Sequence, residues 1–361
     1  MQVLYFLDIL VSYFYFHYFL KVEKMEKIKV AVVDDSSFMR KVIHDALESK
    51  GFEVISTGRN GADAVEIASK KIADVMTLDV QMPVMDGLEA LKKIMEISPM
   101  PVIMVSSLTA KDTEITIKAL AAGAFDFVTK PGGSITFDFG QIIEELSDKI
   151  MLASKYKVTK KIDVSGIQKH LTPKGTYDLL VIGASTGGPK ALDILVPQFP
   201  ADFPLPVIIV QHMPAKFTTT LAKRLSEESK MKIIEVVEKV RALPFKGYVA
   251  AGDFHLELSY ENGIYLRPVD GQRINGVKPA IDYTLSSISK TELRTLFVIL
   301  TGMGKDGTEG LKMIKRDKLT VIAESEKTAI VYGMPKSVVN AGLADYIVDL
   351  NDIPQKIMDL I

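Results

Sequence analysis

Short apolar runs recur along this chain, and most of them end in a polar side chain. In the first half such runs cover residues 29–33, 75–79 and 102–106, and apolar residues at helical spacing lie between them. A run of this length without alternation is typical of a strand that is buried on both faces, as strands are in a parallel sheet. Strands that alternate with helices predict an α/β fold with helices on both faces of the sheet.

The second half repeats the pattern, with apolar runs at 179–182, 207–211 and 296–301. Between them lies a less regular stretch that contains Asn262-Gly263, a strong hairpin signal. The length of 361 residues suggests about two domains. We therefore predict an α/β protein with two doubly wound parallel sheets, one in each half of the chain.

Composition excludes several kinds of site. The chain has no cysteine, so disulfides, thiolate nucleophiles and cysteine-ligated metals are excluded, and a reducing compartment is consistent with this. The formal net charge of −1 argues against a general role in binding polyanions. The second half also lacks a helix-turn-helix motif with a basic recognition helix, so a regulator that acts on DNA is disfavoured.

The N-terminus carries an apolar segment, Val3 to Leu20, which Asp8 and His17 interrupt. Its length is near the lower limit for a membrane span, and lysines follow it as they do at the cytoplasmic end of a span. It lacks the basic start of a signal peptide. We favour a mis-assigned start or a non-functional extension over a membrane anchor or a core-packing segment, because Met25 offers a second start directly before the first strand.

Polar residues follow the strands of the first half where each strand ends. Asp34 and Asp35 come after the first strand, Asp79 ends the third and Ser106 ends the fourth, while Lys130 follows the fifth. Open α/β sheets build their sites at this edge. Three carboxylates held together repel one another unless a hard cation joins them, and Mg²⁺ suits oxygen ligands. Taken singly, each of these residues is better explained as a helix cap or turn residue, but five of them at successive strand ends indicate a site.

The segment Gly183-Ala-Ser-Thr-Gly-Gly188 turns a predicted strand into a helix and has Ser185 at its centre. Such a turn lifts one side chain above the sheet and leaves N–H groups at the helix N-terminus. A serine there can act as a nucleophile, with the N–H groups holding an oxyanion. A phosphate cradle or a plain tight turn is the alternative, since the Gly-x-Ser-x-Gly pattern alone is weak.

Two further strand ends carry His212 and Asp306, which could complete a Ser-His-Asp triad with Ser185. The chain order Ser…His…Asp differs from that of the α/β-hydrolases, so that fold is disfavoured. His212 could instead be a hydrogen-bonded strand-end residue, and Asp306 a helix cap. Other residues compete for the roles of base and carboxylate: His255, Asp253 and Asp282.

Residues 28–148 resemble a response-regulator receiver domain. The resemblance lies in Asp34-Asp35, Asp79, Ser106 and Lys130-Pro131, each after its strand. It implies that Asp79 is the phosphoacceptor. It also implies that Asp34, Asp35, Asp79 and the main-chain carbonyl of Gln81 hold Mg²⁺.

The same resemblance implies that Ser106 and Lys130 bind the phosphoryl oxygens. It makes Ser106 and Phe127 a switch pair, a hydroxyl and an aromatic ring that move together on phosphorylation. The alternative for Phe127 is an ordinary core role, because an aromatic residue in a buried strand is usually core. An aspartyl phosphate is a reactive acyl phosphate, which suits a transient signal.

The second half resembles the catalytic domain of the chemotaxis protein-glutamate methylesterase (CheB) family, which joins a receiver to such a domain. The resemblance lies in Gly183-Ala-Ser-Thr-Gly-Gly188, Gln211-His-Met213 and Leu300-Thr-Gly-Met-Gly-Lys-Asp-Gly307. It implies that Ser185 is the nucleophile, His212 the base and Asp306 the orienting carboxylate. It places the Met303 N–H in the oxyanion hole and Thr186 near the histidine. Lys278-Pro279 stands where this family is expected to have Arg-Pro.

Composition and the two resemblances together divide the chain into four segments: a hydrophobic extension at 1–25, which has no counterpart in the family, a receiver domain at 26–148, a basic linker at 149–175 and a methylesterase domain at 176–361. The implied folds are flavodoxin-like and then Rossmann-like. The implied activity is phosphorylation-activated hydrolysis of glutamyl methyl esters on methyl-accepting chemotaxis receptors, with glutamine deamidation beside it.

The expected phosphodonor is a chemotaxis histidine kinase and the expected location is the cytoplasm. Mg²⁺ is expected for phosphorylation, no cofactor for ester hydrolysis, and no nucleic acid as partner. The alternative is a phosphorylation-controlled binding protein whose hydrolase domain is inactive.

Overall fold

The computed structural model of this chain describes residues 27–130, 138–156 and 177–361. Two parallel sheets dominate these ranges, one in each half, and a small antiparallel sheet lies in the second half. The predicted α/β class with two doubly wound sheets is confirmed. The apolar segment at 3–20 and most of the predicted linker, 157–175, lie outside the described residues.

The first sheet has five parallel strands in the order β2-β1-β3-β4-β5. Its strands are β1 (Lys29–Val33), β2 (Glu53–Gly58), β3 (Val75–Asp79), β4 (Val102–Ser106) and β5 (Asp126–Thr129). Its helices are α1 (Ser37–Ser49), α2 (Gly61–Ser69), α3 (Gly87–Ile97), α4 (Ala110–Ala122) and α5 (Asp138–Ala153). The central strands β3 and β4 are buried throughout, as their apolar runs predict.

Helix α5 continues into the segment that the sequence marks as linker from residue 149. Ile150 and Ala153 are fully buried in the core of the first domain, so this part of the chain belongs structurally to the helix. The lysines around these two residues dilute the apolar pattern and hide the last helical turns from a reading of the sequence.

The second sheet has seven parallel strands in the order β15-β14-β13-β6-β7-β10-β8. Its strands are β6 (Leu179–Ala184), β7 (Val207–Gln211), β8 (Lys232–Val236), β10 (Lys246–Ala250), β13 (Thr295–Ile299), β14 (Leu319–Glu324) and β15 (Tyr346–Val348). Its helices are α6 (Gly188–Leu195), α7 (Phe217–Glu228), α8 (Ile281–Ile288), α9 (Thr308–Met313), α10 (Met334–Asn340) and α11 (Ile353–Leu360). The strand order reverses at β6, because β7 pairs with one edge of β6 and β13 pairs with the other edge. Ligands of open α/β sheets bind outside the strand ends at such a reversal.

The small antiparallel sheet consists of β9 (Val240–Arg241), β11 (His255–Tyr260) and β12 (Ile264–Val269). The predicted hairpin at Asn262-Gly263 is confirmed, since β11 pairs with β12 around it. Asn262 adopts a φ of 55°, a left-handed conformation that asparagine tolerates better than most residues.

The two halves of the protein pack against each other. Helix α4 of the first domain contacts α6 and α7 of the second. The Lys216 ammonium donates a hydrogen bond to the Leu108 carbonyl at 2.9 Å, and the rings of Phe127 and Phe217 stack with centroids 4.3 Å apart. None of the helices in the described ranges is long and apolar enough to cross a membrane.

Candidate active site and phosphorylation site

Three adjacent strands of the second sheet bring the predicted catalytic residues to one edge. Strand β6 lies between β7 and β13, with Ala184 opposite Gln211 and Gly183 opposite Ile299. Ser185 follows β6 directly and His212 follows β7, while Asp306 follows β13 and precedes α9. Their convergence comes from parallel strands ending in register, which is what the sequence pattern predicts.

His212 and Asp306 form a short, buried hydrogen bond. His212 Nε2 lies 2.7 Å from Asp306 Oδ2, and the two side chains are 7% and 3% exposed. Asp306 therefore holds Nε2, which leaves Nδ1 as the only ring nitrogen free to serve as a base. Within the residues that the structure describes, no hydrogen bond joins Ser185 to His212. Such contacts often tighten only in the complex with substrate.

The surroundings of Asp306 favour its ionised form. Burial opposes the charge, but hydrogen bonds from His212 and from the main-chain N–H groups of Ile281 and Asp282 outweigh it and lower the pKa of Asp306. Both N–H groups lie at the start of α8, where the helix dipole also favours an anion. An ionised carboxylate here can orient His212 and stabilise the imidazolium.

The loop after β13 packs against the turn that carries Ser185 and contains Met303, the predicted oxyanion donor. Thr301 accepts the Ser185 N–H through its carbonyl at 3.0 Å, and the Gly302 N–H donates to the Val331 carbonyl at 3.0 Å. Gly302 is required here, because a Cβ would lie 2.7 Å from the Ser185 Cβ. Met303, whose N–H the resemblance places in the oxyanion hole, comes next and is 43% exposed. Thr186 is buried beside the nucleophile turn.

The structure also places the rival residues. Both ring nitrogens of His255 are already hydrogen-bonded, since Nε2 lies 2.8 Å from the Gln272 carbonyl and Nδ1 accepts the Ala280 N–H at 3.3 Å. Asp253 is exposed and lies 3.8 Å from Arg273. Neither residue contacts the His212–Asp306 pair in the hydrogen bonds of the described chain.

Asp282 belongs to the site in another way, because it and Asp306 cap each other's helices. The Asp282 carboxylate accepts the N–H groups of Gly307 and Gly310 at 2.9 and 2.7 Å. Burial raises the pKa of Asp282 to about 6, and the Asp306 charge adds to this shift. The Asn275 amide donates to both carboxylates, at 3.0 Å to Asp282 and 3.4 Å to Asp306.

Two buried residues near the site make contacts that the sequence motifs did not predict. Gln211 ends β7, and its amide donates to the Ser185 carbonyl at 2.9 Å and the His212 carbonyl at 3.1 Å. Glu324 ends β14 and accepts the Thr301 N–H at 2.8 Å. Their signal in the sequence was the one used for Asp79: a polar residue that closes a buried apolar run.

Replacement of Glu324 by glutamine is expected to make stability less dependent on pH. Burial raises the pKa of Glu324 from its ordinary value of 4.5 to about 7. The folded chain thus holds this proton more tightly than the unfolded chain. The free energy of unfolding therefore falls as the pH rises from 4.5 to about 7, and this group causes no further fall above that pH. Above pH 7 the free energy of unfolding of the glutamine variant should exceed that of wild type by at most about 3 kcal/mol. Urea unfolding at acidic and alkaline pH measures this. An equal pH slope in both proteins would contradict it.

The first domain gathers the predicted acidic residues. Asp34, Asp35 and Asp79 each place a carboxylate oxygen within 4.8 Å of the others. Lys130 Nζ lies 2.8 Å from both Asp34 Oδ2 and Asp79 Oδ2. Burial raises the pKa of Asp79 to about 6, despite the hydrogen bond from Lys130. An all-oxygen donor set of this charge fits Mg²⁺.

The remaining predicted residues of the first domain lie around this cluster. The Ser106 hydroxyl is buried and bonds Thr116 Oγ1 at 2.7 Å, so in this state it faces α4. Phe127 is buried against Phe217 of the second domain and also lies beneath the Lys149 ammonium, 5.3 Å from the ring centre. Gln81 is exposed, and its amide bonds the Asp112 carboxylate. The roles assigned to these residues stay predictions.

Comparison with known proteins gives matches in both halves. A family model described as CheB methylesterase matches residues 180–357, and one described as response regulator receiver domain matches residues 30–137. A Thermotoga maritima protein named protein-glutamate methylesterase/protein-glutamine glutaminase is 43% identical over 339 residues, which cover 92% of this chain and 98% of its own length.

The chain belongs to the CheB methylesterase family. A Pyrococcus horikoshii protein of the same name is 41% identical over 342 residues, covering 92% of this chain and 93% of its own. The crystal structure of the Thermotoga maritima CheB methylesterase catalytic domain is 44% identical, with a TM-score of 0.49, and it covers 51% of this chain and 99% of that one. The family-model matches and the curated relatives confirm, at the level of the family, the two resemblances seen in the sequence.

Proposed function

We propose that this protein is a phosphorylation-activated protein-glutamate methylesterase that also deamidates glutamine. Curated relatives of that name match over nearly their whole length. The observation that carries the proposal is the buried His212–Asp306 hydrogen bond at the same sheet edge as Ser185. A binding protein with an inactive domain has no need to keep this pair intact.

In the proposed reaction Ser185 Oγ attacks the carbonyl of a glutamyl methyl ester while His212 Nδ1 takes its proton. Asp306 holds Nε2 throughout and stabilises the imidazolium. The tetrahedral oxyanion is held by the Met303 N–H and a neighbouring amide. Collapse expels methanol, which takes the proton from His212.

Water then attacks the acyl-enzyme, with His212 again as base, and releases the glutamate side chain and Ser185. A glutamine side chain follows the same path with ammonia as the leaving group. The proposed substrates are chemotaxis receptors, and the proposed phosphodonor is a chemotaxis histidine kinase. Action on both partners would place this protein in the cytoplasm.

Methanol release from methylated receptor membranes tests this proposal. Release by wild type, and its increase with a small phosphodonor and Mg²⁺, is the expected result. Wild type without any release from methylated receptors would overturn the esterase proposal.

In the first domain we assign Asp79 as the phosphoacceptor, with Asp34, Asp35 and the Gln81 carbonyl as the other Mg²⁺ ligands. The ion would supply positive charge against the phosphoryl group, and the three neighbouring carboxylates support its binding. Lys130, already in contact with Asp34 and Asp79, would hold the phosphoryl oxygens together with Ser106.

We propose that phosphorylation loosens the contact between the two domains. Phe127, the proposed switch aromatic, stacks on Phe217, which begins α7 shortly after His212. A change at Asp79 that moves Phe127 would therefore act on the segment that carries the proposed base. Since packed interfaces are bistable, a small local shift can release the whole contact.

Replacement of Lys216 by methionine is expected to raise the unstimulated esterase rate. The change removes the hydrogen bond to the Leu108 carbonyl but keeps the length of the side chain. Such a bond contributes about 1 kcal/mol, so the open state should gain up to about fivefold in population. Initial rates without and with phosphodonor measure this. Asp79→Asn is the control, since it should keep the basal rate and lose the stimulation. An unchanged basal rate in the methionine variant would argue against gating through this contact.

A further inference from the structure

Glu324 is a fully buried acid that lies one strand away from the strands carrying the proposed catalytic residues. It ends β14, which pairs with β13, and its exposure is 0%. Oε2 accepts the Thr301 N–H at 2.8 Å and Oε1 accepts the Thr328 hydroxyl at 3.1 Å. No hydrogen bond of the described chain joins it to the proposed triad, so the mechanism above leaves this carboxyl without a role.

Its partner Thr301 links the separate parts of the site. The Thr301 carbonyl accepts the Ser185 N–H at 3.0 Å, and its hydroxyl donates to the Thr186 carbonyl at 2.9 Å. The same hydroxyl accepts the Val331 N–H at 2.8 Å. Thr301 therefore holds the nucleophile turn on one side and leads into the proposed oxyanion donor, Met303, on the other.

We propose that Glu324 is a positioning residue, which fixes the backbone conformation at Thr301 and through it the placement of Ser185 against the Met303 N–H. The inference rests on the proposed esterase function. A buried N–H that loses its acceptor turns toward another partner, since an unsatisfied group is costly. The N–H and the carbonyl of Thr301 lie in neighbouring peptide groups that share its Cα, so a change of φ at Thr301 also displaces the carbonyl that holds the Ser185 N–H. Displacement of about 1 Å at a reacting centre can cost about 100-fold in rate.

Three variants separate positioning from simple stabilisation. Glu324→Gln keeps an acceptor for the Thr301 N–H, and Glu324→Leu has no acceptor at similar size. Thr328→Val is the matched control, because it removes the other hydrogen bond of the same carboxyl, together with the acceptor of the Leu350 N–H, and leaves the Thr301 contact in place. Folding of each variant is checked by thermal unfolding, and kcat and KM are measured by methanol release in the presence of phosphodonor.

We expect Glu324→Leu to lower kcat by about 10- to 100-fold with KM within about twofold of wild type. Glu324→Gln should restore kcat to within about threefold of wild type, and Thr328→Val should keep kcat although it unfolds at a lower temperature. Should the leucine variant not fold, Glu324→Asp replaces it, since its shorter side chain withdraws the acceptor. The aspartate variant should lose about 10-fold in kcat.

Several results would overturn the inference. One is that Glu324→Leu, or the aspartate variant used in its place, folds and has the same kcat as wild type. Another is a loss confined to KM, and a third is an equal loss of kcat in Thr328→Val, because kcat would then follow stability. Wild type without turnover would overturn the proposed function and this inference with it, whereas turnover in wild type and an unaffected Glu324→Leu would overturn the positioning role alone.

Discussion

Replacement of Ser185 by alanine is expected to lower kcat for ester hydrolysis by about 10⁴- to 10⁶-fold. Ser185 directly follows the end of β6, where the turn into α6 presents its hydroxyl. The His212–Asp306 pair and the candidate oxyanion donors would remain, so some rate above that of water should persist. The scaffold should remain intact, because the Ser185 contacts to Thr301 and Gln211 use main-chain atoms.

The measurement is methanol release from methylated receptors under saturating phosphodonor, with receptor binding followed in parallel. Ser259→Ala is the matched control: it removes a hydroxyl from β11 in the small sheet and should leave the rate unchanged. Full activity in Ser185→Ala would show that another residue is the nucleophile. Unchanged receptor binding together with lost turnover would place the defect in chemistry.

The sequence predicted the position of the three proposed catalytic residues because each one follows a buried parallel strand. Ser185, His212 and Asp306 needed only the order and direction of the strands to be brought together. The orientation of the imidazole could not be predicted in this way. It depends on Asp306 being held by the start of α8, 25 residues earlier in the chain, which is a result of tertiary packing.

The same limit applies to residues that act through other residues. Asp282 appeared in the sequence as a rival of Asp306, but in the structure the two acids cap neighbouring helices and share Asn275. Glu324 belongs to a strand that the apolar pattern located, yet its partner Thr301 is defined only by the pairing of β13 with β14. Motifs mark residues that meet substrate, whereas supporting contacts depend on which strands become neighbours.

Replacement of Asp306 by asparagine is expected to lower kcat by about 10³- to 10⁴-fold. Asp306 Oδ2 accepts both His212 Nε2 at 2.7 Å and the Ile281 N–H at 2.6 Å. An asparagine that turns its NH₂ to this side meets the Ile281 N–H and forces the proton of His212 onto Nδ1. The base nitrogen is then blocked.

In the wild-type chain Asp306 Oδ1 accepts the Asp282 N–H at 3.1 Å. An asparagine turned the other way keeps an oxygen toward His212 but places its NH₂ against that N–H. In both orientations the imidazolium also loses its neighbouring charge, so chemistry suffers even where the fold survives. Asp253→Asn is the matched control, because it removes the charge of an exposed carboxylate of the same domain, which lies 3.8 Å from Arg273. Pre-steady-state acylation measured in both variants should slow in Asp306→Asn alone. Equal acylation rates would mean that the His212–Asp306 hydrogen bond, although short and buried, is structural, and that Asp306 does not orient the base of this esterase.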